Sequence, residues 1–165
     1  ALTLFISCGK SEDTKKSDPL AAAAQMDDAS LQKMKEERLA NLPENTFEIE
    51  GDDNMKYDIT ELKAKAGKPI TITLKHVGKA SKQDMGHNLV VLKIGTDLEA
   101  FSQKASADPA HDYLPEDPNI IAHTKLLGGG ESDTITFTIN EKGTYDFLCT
   151  FPAHHSSMQG KLIVE

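Results

Sequence analysis

From residue 45 onward the chain is written in short runs that alternate apolar and polar residues, and a period of two restricts it to sheet architectures. In PITITLKH (69–76), Ile70, Ile72 and Leu74 share one face while Thr71, Thr73 and Lys75 share the other. TFEIE (46–50), YDITELKA (57–64), HNLVVLKI (87–94), IIAHTKLLG (120–128), DTITFTI (133–139), TYDFLC (144–149) and GKLIVE (160–165) extend the series. Gly128-Gly129-Gly130 and Asn140-Glu141-Lys142-Gly143 supply turns between them. Residues 97–117 break the rhythm with helix formers, Pro109 and Pro115, and read as an inserted helical flap. One insertion among many strands predicts an all-β sandwich or barrel rather than a repeating βα unit.

The residues before 45 read differently. Residues 1–7 are apolar, too few to span a bilayer, and lead into Ser7-Cys8-Gly9. That pattern resembles the processing site of bacterial lipoproteins, in which the peptide is cut before the cysteine and the thiol carries lipid. The plainer alternative is a chance cysteine in the remnant of a signal peptide. GKSEDTKKSDP (9–19) has nothing to bury and reads as a tether. In 20–42 the Ala run, Leu31, Met34, Arg38 and Leu39 favour helix, with Ser30 a candidate cap and Pro43 a stop. Whether that helix docks on the strands is open. The chain thus divides into a signal remnant (1–7), an anchor and tether with a short helix (8–44), and a β domain (45–165). The formal net charge of -8 is unsuited to nucleic acid and suits partners with a basic patch.

Chemistry concentrates in Cys149-Thr150-Phe151-Pro152-Ala153-His154-His155-Ser156-Ser157-Met158. A thiolate, an imidazole and a thioether share one loop, pinned by the strands TYDFLC and KLIVE. A Cys–His pair alone could be a nucleophile and its base, but the Met has no place in such a site. Soft sulfur with imidazole nitrogen favours copper, and two His and one Cys with a weak axial Met describe an electron-transfer site. The second His is His87, in Met85-Gly86-His87-Asn88 at the start of the run LVVLKI. Gly86 permits close backbone approach, so its carbonyl could face the metal. His155 competes with His154, which is favoured because neighbouring side chains point to different sides of the loop. No open position for a substrate is evident, which argues against an enzyme.

MGHN, DYLPEDPNIIAHTKLLGGGE, CTFPAHHSSM and the closing GKL together resemble the azurins, the bacterial blue-copper family, over residues 45–165. The resemblance implies a cupredoxin-like Greek-key fold and one copper ion cycling between Cu(I) and Cu(II). It implies His87, Cys149 and His154 as equatorial ligands, Met158 as axial ligand and the Gly86 carbonyl as a weak opposite one. It further implies that Asn88 ties the ligand loops together, and that the N–H groups of Asn88 and Phe151 donate to the Cys149 sulfur. The implied partners are c-type cytochromes or a membrane reductase or oxidase, met by a monomer in the periplasmic space and held to a membrane through lipidated Cys8. A copper-delivery protein is the alternative, and zinc would also accept such ligands.

Several positions depart from the family. Asn45 and Gly67 stand where it has a disulfide, Leu89 where it has a buried Trp, Ala153 where it has a Gly before the loop His, and His155 where Ser is usual. Met55, Met85, Phe151 and Pro152 keep part of the family's apolar docking patch, while Ala80, Asp84 and Ser157 dilute it. His76 resembles a family histidine near the site but not bound to copper.

Overall fold

The computed structural model describes residues 27–165, so the leader, Cys8, the tether and the Ala run lie outside the described residues. The chain divides into two compact units, with the boundary in sequence between Ala40 and Asn41. The described part of the first is one helix, α1 (Asp28–Ala40), with no buried residue. Its cap is Asp27 rather than Ser30. The Asp27 Oδ1 accepts from the Ser30 N–H at 2.8 Å, and its carbonyl accepts from the Leu31 N–H. Adjacent cap-forming residues compete, and the carboxylate also favours the positive end of the helix dipole. Local pairs such as Gln32–Glu36 and Lys33–Glu37 brace it.

The second unit carries eight strands: β1 (Thr46–Gly51), β2 (Glu61–Ala64), β3 (Pro69–His76), β4 (Val90–Leu92), β5 (Ile120–His123), β6 (Ser132–Thr138), β7 (Gly143–Leu148) and β8 (Gln159–Val164). They form two sheets, β1-β3-β6 and β2-β8-β7-β4-β5. The pairs β1–β3 and β2–β8 are parallel, and the others are antiparallel. Ile70, Ile72 and Leu74 are fully buried, as the alternation of β3 requires, and meet Val91, Phe147 and Leu162 of the other sheet in one core. Leu89 lies fully inside that core, so an aliphatic side chain fills its place.

Two strands are shorter than their sequence patterns. In YDITELKA only Glu61–Ala64 is ladder, because the Asp58 carboxylate takes the Glu50 N–H at 2.7 Å. In HNLVVLKI only Val90–Leu92 is ladder, because the Thr124 hydroxyl takes the Leu89 N–H at 2.9 Å. Where the family has its disulfide, Asn45 works by hydrogen bonds. Its amide donates to the Lys65 carbonyl at 3.0 Å and accepts from the Lys65 N–H at 2.8 Å, while Gly67 donates to the Ile139 carbonyl.

The inserted segment is helical as the sequence predicts. Helix α2 (Lys82–Met85) precedes β4, and α3 (Leu98–Ser106), capped by Asp97, follows it. Phe101 of α3 packs on Val90, Leu92 and Leu148, covering the outer face of the five-stranded sheet. Among the described residues no helix is long and apolar enough to cross a membrane.

Candidate metal centre

The end of β7 delivers Cys149 to the rim of the barrel, and β8 begins directly after Met158. The loop between is pinned at its neck, where the Cys149 N–H donates to the Met158 carbonyl at 2.9 Å. It is drawn tight inside, where the His154 N–H donates to the Phe151 carbonyl and the Met158 N–H to the His154 carbonyl. From the other side, His87 exchanges both backbone hydrogen bonds with Leu127 (3.0 and 2.8 Å). Gly86 is required here for space. A β-carbon on it would stand 2.6 Å from the Lys82 carbonyl and 2.9 Å from Leu126.

These constraints bring the thiol of Cys149 and one ring nitrogen each of His87 and His154 within 4.8 Å of one another, all three residues buried. The Cys149 Sγ lies 3.6 Å from the His154 Nδ1 and 3.9 Å from the Gly86 carbonyl. Met158 is fully buried, and its methyl converges with the His87 ring on Gly51. A β-carbon there would come within 3.0 Å of His87 Cδ2 and 3.2 Å of Met158 Cε. His155 points away and meets Glu99 of α3 at 3.0 Å. His154 is only 2% exposed, its ring flanked by those of Phe151 and His87.

Hydrogen bonds fix the tautomers. The His87 Nε2 lies 2.8 Å from the Asp52 carbonyl, which can only accept, so Nε2 carries the proton. Burial, foremost, holds the His87 pKa below that of an ordinary imidazole, so the ring stays neutral and Nδ1 keeps a lone pair. That lone pair and the Gly86 carbonyl oxygen face each other at 3.0 Å. Two acceptors at this distance repel unless a cation draws on both. Burial, then the neighbouring His87 and His76, push His154 down to about 4, leaving it neutral as well. Burial pushes the Cys149 thiol up to about 11, against the N–H groups of Asn88 and Phe151, which lie on its sulfur and favour the thiolate. Those are the two donors the family resemblance implies. The Asn88 side chain donates to Thr150 Oγ1 at 2.7 Å and accepts from the Thr150 N–H at 2.8 Å, tying the segment of His87 to that of Cys149.

A buried set of one sulfur and two neutral imidazoles is a donor set for a soft or borderline cation. The family model that matches residues 43–165 is that of the copper binding proteins, plastocyanin/azurin family. The chain belongs to the plastocyanin/azurin family of copper-binding proteins. It is 40% identical over 119 residues to azurin-2 of Alcaligenes xylosoxydans xylosoxydans, spanning 69% of this chain and 92% of that one. It is 41% identical over 118 residues to outer membrane protein H.8 of Neisseria gonorrhoeae, spanning 69% of this chain but only 64% of that relative's length. A solved structure of dithionite-reduced auracyanin from Roseiflexus castenholzii matches with a TM-score of 0.66 and 41% identity, over 75% of this chain and 99% of that one. Residues 43–165 are thus a copper-binding domain by family, and His87, Cys149 and His154 are the side chains that could hold the ion. Members of the family are in general electron carriers rather than enzymes.

Sequence reasoning missed Asp52, Gly51 and Tyr57. Asp52 acts through its carbonyl and Gly51 by lacking a side chain, and neither contribution leaves a motif. Tyr57 reads simply as an apolar strand residue.

Proposed function

We propose that the whole chain is an envelope-anchored one-electron shuttle whose copper is held by His87, Cys149 and His154, with Met158 as weak axial ligand and the Gly86 carbonyl opposite it. The observation that carries this reading is the buried sulfur and two nitrogens within 4.8 Å, with an unprotonated His87 Nδ1 facing the Gly86 oxygen. Bound copper supplies one reversible electron. The chain's own residues make that electron cheap to move. The Asp52 carbonyl and the Leu127 backbone hold His87, the Asn88–Thr150 pair holds the two segments together, and β7 and β8 hold both ends of the Cys149 loop. Ligands so fixed change little between the two copper states. The His154 ring packs on half-buried Phe151, and a partner would receive the electron on this side, where the family resemblance also sets half-buried Pro152 and Met85 and exposed Met55.

The anchor is proposed on separate grounds. Ser7-Cys8-Gly9 has the form of a lipoprotein processing site, and one relative is named an outer membrane protein. A lipidated Cys8 would keep the domain beside membrane redox partners such as c-type cytochromes or a reductase or oxidase. The test is to mix the copper-loaded full chain with reduced c-type cytochrome in the presence of a copper chelator. Electron transfer with all copper retained on the chain is the expected result. Copper lost to the chelator without electron transfer would favour a delivery role instead.

A further inference from the structure

Tyr57, in the segment that follows β1, sends a buried hydroxyl to the backbone beside His87. It is 6% exposed, and its ring packs on Phe147 at a centroid distance of 5.8 Å. Its hydroxyl donates to the backbone carbonyl of Asn88. Burial, with Cys149 nearby, holds this phenol well above its ordinary pKa, so it remains a donor.

Asn88 has four polar groups, and each is committed. The N–H lies on the Cys149 sulfur, the side-chain amide and its oxygen hold Thr150, and the carbonyl takes the Tyr57 hydroxyl. The first three bonds all join Asn88 to the segment that carries Cys149. The Tyr57 bond alone among the four joins it to the segment after β1. It therefore opposes the pull of the other three and fixes how close the Asn88 N–H stands to the sulfur.

We propose that Tyr57 is a positioning residue that sets the reduction potential through Asn88. The inference rests on the copper-ligand assignment above. An N–H aimed at a thiolate withdraws charge from it and favours reduced copper. A hydroxyl that holds Asn88 in place therefore keeps the potential high, and loss of the hydroxyl lets the N–H drift and lowers it.

The experiment uses the copper-loaded full chain and Tyr57→Phe, which keeps the ring and removes only the hydroxyl. Each is equilibrated against a one-electron reference couple. The variant is expected to shift at least twofold toward Cu(II), about 18 mV at the roughly 59 mV per tenfold of a one-electron couple, with a displaced thiolate-to-copper band. Tyr57→Leu should show the same shift with a larger loss of Tm. A Tyr57→Phe protein of lower Tm, but with unmoved redox ratio and band, would make Tyr57 a core residue only and overturn the inference. Wild-type protein that does not turn blue with copper(II) would overturn the ligand assignment and this inference with it. Blue wild type with an unmoved Tyr57→Phe variant defeats only the role of Tyr57.

Discussion

The end of β3 and the approach to β4 each deliver a buried histidine to the same rim, and only one is free to take a metal. His76 and His87 stack with centroids 4.2 Å apart and planes 18° apart, at 1% and 0% exposure. Each carries its proton on Nε2 and gives it to a backbone carbonyl, His76 to Met85 and His87 to Asp52, both at 2.8 Å. The difference lies at Nδ1. In His76 it accepts the Gly78 N–H at 3.1 Å, whereas in His87 it faces the Gly86 carbonyl oxygen. A donor satisfies the first lone pair, while a second acceptor leaves the other to a cation. Backbone placement, more than burial or residue type, separates a structural histidine from a candidate ligand.

The largest expected effect comes from breaking that contrast directly. His87→Ala should abolish the blue site and weaken copper binding by more than the roughly 10–100-fold that losing an outer partner costs. His76→Gln, which can still donate to Met85 and accept from Gly78, should keep the colour and stay within that range. Copper titrations of the two variants decide it, and equal losses would erase the distinction.

Acid should act on the neutral rings next. The folded His154 takes its proton only near pH 4, whereas an unfolded imidazole takes it near 6.5. Between those values the unfolded state binds more protons, so the metal-free protein loses stability as pH falls from about 6.5 to about 4. His87 adds in the same sense. Thermal melts of the metal-free chain should show Tm falling steadily across that window. A flat Tm would mean the rings are charged in the folded state.

Much of this was legible in the sequence. Alternation in 69–76 places Ile70, Ile72 and Leu74 in the core, and the Cys149–His154 loop points to the rim where both converge with His87, because strand period and donor type are local properties. What escaped depends on contacts between distant segments. The Asp52 and Met85 carbonyls, the Tyr57 hydroxyl and the Asn45 amide that bonds across to Lys65 all act through backbone groups, which look alike in every residue. The lengths of β2 and β4 escaped similarly, since the Asp58 and Thr124 side chains replace ladder partners.

Smaller effects sharpen the picture of the loop. Met158→Leu should keep copper and colour while raising the potential, since a weak axial thioether tunes more than it holds. Voltammetry on the pair reads the shift, and loss of copper from the variant would make Met158 a main ligand. Ala153, where the family has glycine, sits at φ 66°, a left-handed conformation that costs a side-chain-bearing residue roughly 1–2 kcal/mol. Ala153→Gly should therefore stabilise the chain by up to about 1 kcal/mol, after the entropy cost of glycine, and denaturant unfolding of the copper-free proteins would show it.

Everything proposed for the site depends on the thiolate of Cys149 meeting two imidazoles around one copper ion. Visible absorption during titration of the full chain with copper(II) tests it. An intense blue thiolate-to-copper band that saturates at one equivalent, and is absent from Cys149→Ser, is the predicted result. A colourless protein with an ordinary tetragonal copper(II) spectrum would contradict it.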